Sequence, residues 1–78
     1  MGYFLIEDYV EAEKYLKRAV ELMPDDPIVN DHYGDILWKL NRKIQARYFW
    51  KNVLKMDDVE KEIIENINNK LIQGPKNS

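Results

Sequence analysis

The strongest constraint on this chain is that it matches itself when slid by 34 residues. Tyr3 then meets Leu37, Phe4 meets Trp38, Val10 meets Ile44, Ala12 meets Ala46, Tyr15 meets Phe49, Leu16 meets Trp50, Ala19 meets Val53 and Val20 meets Leu54. Size class and polarity agree at most of these pairs. A period of this length belongs to a stacked unit of two elements rather than to a single one, each unit leaving an apolar face that its neighbour covers.

The unit is helical. Between Asp8 and Leu22, Tyr9, Ala12, Leu16, Ala19 and Val20 recur at spacings of three and four, which puts them on one helical face. Asp8 is a candidate N-cap, with Glu11 completing a capping-box-like pair. Met23-Pro24-Asp25-Asp26-Pro27 breaks the pattern: Pro24 cannot continue a helix, and Pro27 can open the next after an Asp26 cap. A second helix then carries Val29, Tyr33, Ile36, Leu37 and Leu40 inward, and Asn41, tolerant of left-handed backbone, ends it. A third is expected to bury Ile44, Ala46, Phe49, Trp50, Val53 and Leu54. Asp57 or Asp58 can cap a fourth, with Val59, Ile63, Ile64, Ile67 and Leu71 as its apolar set, and Gly74-Pro75 stops it. The expected fold is all-α, built from antiparallel helix-turn-helix hairpins with helices at approximately 8–22, 27–40, 42–56 and 58–72. No stretch alternates with the period of a strand.

Tyr9 to Pro24 resembles the second helix of a tetratricopeptide repeat, Ala12, Leu16, Ala19 and Pro24 holding its key positions. Tyr33-Gly34 and Leu37 match the family's pattern in the following first helix, and Ala46, Trp50 and Val53 match the next second helix. The sequence departs from the pattern at Asn30, where a large aromatic is usual, at Asp58 in place of the terminal proline, and at Glu7 in place of a turn glycine. Close packing is the physical reason for the pattern: small residues let two helices approach, and Leu16 or Trp50 fills the space between repeats. Gly34 in mid-helix costs about 1 kcal/mol relative to alanine, so a packing role is its natural explanation.

The resemblance implies residues 1–26 as a truncated first repeat, 27–58 as a second, 59–73 as a capping helix and 74–78 as a disordered tail. Fewer than three repeats rarely stand alone. The apolar side of the first helix therefore needs cover, from a second copy of the chain, from an extension of the helix through Tyr3 to Ile6, or from a larger protein to which the chain belongs. A homodimer through the truncated repeat is the favoured expectation.

Composition narrows the chemistry. With no cysteine, disulfides and thiolate metal sites are excluded, and a reducing, cytoplasmic setting fits by default. No apolar run approaches the roughly 18 residues of a membrane span, and Met1 to Ile6 is too short for a signal-peptide core. His32 is the single histidine, Ser78 the single serine, and threonine is absent, so no nucleophile-base set exists. Asp31 and Asp35 flank His32, but zinc takes three or four ligands and no metal or cofactor is expected. The pairs Asp25-Asp26 and Asp57-Asp58 stand where helices begin, and capping explains them. Enzyme activity has no constellation behind it.

A protein-protein interaction module is what the resemblance implies: a scaffold, an adaptor or the terminal part of a longer array. Its groove would be formed by Ile28, Asp31, His32, Asp35, Trp38 and Lys39, gripping a peptide or helix. With two aspartates there, a basic or mixed ligand anchored on Trp38 is the complementary expectation. A rival signal lies on the third helix, where Lys43, Arg47, Lys51 and Lys55 recur every four residues with Tyr48 nearby. Residues 39 to 55 hold six bases and no acid, whereas residues 1 to 38 hold nine acids and three bases. That stripe could bind nucleic acid or an acidic partner, although opposite charges in the two halves also suit antiparallel helices that neutralise one another.

Overall fold

The computed structural model describes residues 2–75, with side chains from residue 8 onward. Among the described residues four helices follow one another: α1 (Gly2–Leu22), α2 (Pro27–Lys39), α3 (Lys43–Leu54) and α4 (Lys61–Gln73). There is no strand among the described residues. Helix α2 packs against both α1 and α3, and α4 packs on α3.

The joints follow from local chemistry. At the entry to α2, the Asp26 carboxylate accepts hydrogen bonds from the Ile28 and Val29 amides at 2.9 and 3.1 Å, and Pro27 occupies the first turn, where no amide proton is needed. Asn41 takes a φ of 64° after α2, and the Arg42 amide reaches back to the Leu37 carbonyl at 2.8 Å, closing the helix with a left-handed turn. Gly74 stops α4 at φ 79°.

Two expected caps are corrected. Asp8 lies inside α1, because nothing between Gly2 and Leu22 interrupts helical backbone, so the first helix starts well before residue 8. Neither Asp57 nor Asp58 caps α4: Asp58 sits in the left-handed region at φ 59°, and Glu60 occupies the cap position without a side-chain bond. Ile44 and Leu54 were expected inside but are 87% and 36% exposed. Both fall to the outer side of α3, where no helix is packed.

The core is Tyr33, Leu37, Ala46, Trp50, Val53 and Ile67, with Leu16, Val20, Trp38, Phe49, Ile63 and Leu71 packed around it. Trp50 is fully buried and lies across Gly34: a Cβ on that glycine would overlap the indole Nε1 and come within 2.5 Å of Cδ1. Glycine is thus required for α3 to approach α2. The indole N–H donates to the Asp31 carbonyl at 3.3 Å, which satisfies its one buried polar atom. Ala46 is likewise fully buried, whereas Ala12, its equivalent one period earlier, is half-buried because α1 is packed on one side only.

Candidate functional site

Lys70 organises the face shared by α2 and α4. Its ammonium donates to Asp31 Oδ1 at 2.7 Å and to Asp35 at 2.8 and 3.1 Å, with only 12% of its side chain exposed. Asp31 and Asp35 lie four residues apart, one helical turn, so both carboxylates converge on one partner. Burial is the largest influence on Asp35 and on Lys70. It pushes the Asp35 carboxyl above its ordinary value against the pull of Lys70. It acts to lower Lys70, but the hydrogen bonds to Asp31 and Asp35 outweigh it and hold the ammonium above its ordinary range.

Beside this triad runs a groove of about 510 Å³, lined by Asp35 and Lys39 from α2 and by Asn66, Asn69, Lys70 and Gln73 from α4, with Gly74 and Pro75 at its end. Gly74 and Pro75, expected in a disordered tail, are instead part of this wall; Lys76 to Ser78 lie outside the described residues. Three side-chain amides on one wall offer both donors and acceptors.

The six groove residues read from sequence divide into two groups. Ile28 (54% exposed) and His32 are open to solvent, and Lys39 lines the groove. Asp31 and Asp35, expected to favour a basic or mixed ligand, share Lys70, whose single charge answers one of their two. Trp38, expected as a ligand anchor, is half-buried: it stacks 5.5 Å from Trp50, carries the Lys43 ammonium 5.0 Å above its ring and backs onto Gly74. Its ring is already engaged within the chain.

The four bases of the rival stripe are also divided. Lys43 is drawn to Trp38, Arg47 and Lys51 border shallow hollows with exposed Ile44 and Tyr48, and Lys55 lies in a separate hollow with Asp25 and Asp57. The packing residues stay together at the centre, where Tyr33, Gly34, Leu37, Ala46, Trp50 and Val53 are buried. Leu16 and Ala19 are half-buried, and Pro24 is exposed but offers its carbonyl to Asn30.

Sequence reasoning missed Lys70, Asn30 and Asn52. Lys70 carried a signal: with Ile63, Ile67 and Leu71 it completes an i, i+4, i+7, i+8 stripe, so a lysine stood on an otherwise apolar face. Asn30, noted only as a missing aromatic, is 1% exposed; its amide donates to the Pro24 and Asp26 carbonyls at 3.1 and 2.8 Å and accepts from Asn52 at 3.5 Å. Tyr33 ties α2 to α1, its hydroxyl donating to Glu13 at 3.0 Å. Burial, helped by the Glu13 carboxylate, raises that hydroxyl to about 12.

Among the described residues no three His, Asp or Glu side chains are grouped to hold a metal ion, and no helix is long and apolar enough to cross a membrane. No family model, curated protein or solved structure matches the chain.

Proposed function

We propose that this protein is a tetratricopeptide-type interaction module that binds an extended peptide or a helix along the α2/α4 groove and self-associates through α1. The observation that carries the reading is one of register. Helix α4 starts and ends 34 residues after α2, and α3 shifted back by the same step falls within α1. The helices thus follow one another as second, first, second and first members of a repeating hairpin, and α2 and α4, the two first members, border the groove. Gly34 under Trp50 supports the same reading, since close approach of the two hairpin helices is what the family's small residues permit.

The ligand expectation changes with Lys70. With one ammonium set against two carboxylates, the pull on a basic peptide is weakened, and Asn66, Asn69 and Gln73 suit the amide groups of a peptide main chain. A scaffold or adaptor role in the cytoplasm is the accompanying proposal, with no catalytic step. Selection from a random peptide library on the immobilised chain tests it. Enriched peptides should lose binding to an Asn66→Arg, Asn69→Arg variant whose helical circular dichroism is unchanged. Failure to enrich any sequence, or binding that ignores both substitutions, would sink the groove as the working surface.

A further inference from the structure

We propose that the chain associates head to tail, α4 of one copy packing antiparallel against α1 of the next as α2 packs against α3 within one chain. This rests on the repeat reading above and asks what covers the open side of α1. Moved by one 34-residue step α2 falls on α4, and moved back by one step α3 falls on residues 9–20 of α1. The outer helices are therefore the equivalents of the two members of the inner hairpin, yet no packing seam joins them among the described residues.

The inner hairpin supplies the register. Trp38 meets Trp50 at 5.5 Å, Phe49 meets Tyr33 at 4.6 Å, and Gly34 lies under Trp50. Carried over, Ile72 stands for Trp38, Leu16 for Trp50, Tyr15 for Phe49 and Asn68 for Gly34. Ile72 is 79% and Tyr15 77% exposed, whereas Trp38 and Phe49 are half-buried in the hairpin they belong to. Two large apolar side chains thus stand in water at two of the positions that the inner hairpin covers, while Ile67, which stands for Tyr33, is already buried in its own chain. Bulk is exchanged across the seam and not simply added: where glycine admits a tryptophan inside, the larger Asn68 faces the smaller Leu16 outside. Arg18, in the place of Asn52, comes opposite Ile64, in the place of Asn30, and none of Ala12, Leu16, Asn68 and Ile72, which stand for Ala46, Trp50, Gly34 and Trp38, is charged.

A single helix-on-helix seam belongs at the small end of protein interfaces, below about 1,200 Å² in total, so the association is weak and concentration-dependent. Because its two surfaces differ, each added copy leaves one of each kind free, and growth continues past two.

Sedimentation equilibrium on the full chain over roughly 1 µM to 1 mM spans the corresponding affinities. The expected result is a mass that rises beyond the dimer. Ile72→Glu and Tyr15→Glu alter exposed positions, and each variant, checked for native helical circular dichroism, should be monomeric alone. Mixed in equal amounts they should form a one-to-one pair and nothing larger, since one copy keeps its α1 surface and the other its α4 surface. A wild-type chain that stays monomeric throughout, or a mixture that does, overturns the proposal. Dimers that survive Ile72→Glu but not Tyr15→Glu mean that α1 pairs with α1, which overturns the head-to-tail arrangement while leaving self-association through α1 intact.

Discussion

Lys70 is the residue whose removal leaves the most unanswered charge. Two carboxylates meet its ammonium at 2.7 and 2.8 Å, and Asp31 keeps only 15% of its side chain in water. Lys70→Met would preserve much of the side-chain volume while stranding both acids, so the loss should stand near the lower end of the range for breaking a buried pair, about 3 kcal/mol. Urea denaturation at neutral pH measures it, and a change below 1 kcal/mol would mean that water already screens the triad. The same groups set an alkaline limit. Tyr33 is raised from 10.0 to about 12, and Lys70 is raised above its ordinary 10.5. For both, the folded state favours the protonated form. Their contribution is therefore complete below the unfolded-state values and disappears as pH climbs through the folded ones. Stability should fall between pH 10 and 12. Tyr33→Phe should flatten the tyrosine part of that decline, and at neutral pH it should cost about 1 kcal/mol for the lost bond to Glu13. Thermal unfolding followed at a series of pH values separates the two effects.

At the scale of helices, the joints with strong side-chain grammar were legible in the sequence. Asp26-Pro27 opens α2, Asn41 turns the chain into α3 and Gly74 stops α4, because cap chemistry acts within a few residues and needs no tertiary partner. Asp26→Ala should accordingly cost about 1 kcal/mol, by loss of its bonds to the Ile28 and Val29 amides. Asp8 and Asp58 misled for the complementary reason. An aspartate can begin a helix only where the preceding backbone is not already helical, and that depends on the run from Gly2 in one case and on the left-handed Asp58 turn in the other. Gly34 was legible as a packing residue, while its partner's orientation was not. Gly34→Ala would gain about 1 kcal/mol in helix propensity, but the new Cβ meets a fully buried indole that has nowhere to move. Overpacking of this kind costs roughly 1–3 kcal/mol, so the variant should be destabilised or, at best, unchanged. A clear rise in its melting temperature would show that Trp50 can rotate away. The groove was half legible. Of the six residues read from the repeat register only Asp35 and Lys39 line it, and its α4 wall depended on a lysine that periodicity marks as buried and only the fold can pair with acids 35 and 39 residues earlier.

At the scale of the whole molecule, the distribution of charge bears on the choice between the proposed groove and the basic stripe. Six bases without an acid between residues 39 and 55 would make a phosphate-tracking surface if they acted together. The fold divides them. Lys43 is held over Trp38, and Lys55 shares its hollow with Asp25 and Asp57. The chain around them carries a net charge of -2, so no long-range field draws a polyanion in. Of the stripe's four bases Arg47 and Lys51 are left on a common open surface, so about two phosphate contacts are available, and on a single strand each adds roughly 0.7 to the slope of affinity against salt. Fluorescence anisotropy with a labelled single-stranded RNA at about 50 mM salt, where such contacts are strongest, should reveal no saturable binding below roughly 0.1 mM, the weak limit of ordinary non-specific affinity. Micromolar binding with a salt slope steeper than about −3 would require more phosphate contacts than Arg47 and Lys51 can supply. If Arg47→Glu, Lys51→Glu also abolished that binding, the outer face of α3 would displace the groove as the proposed working surface.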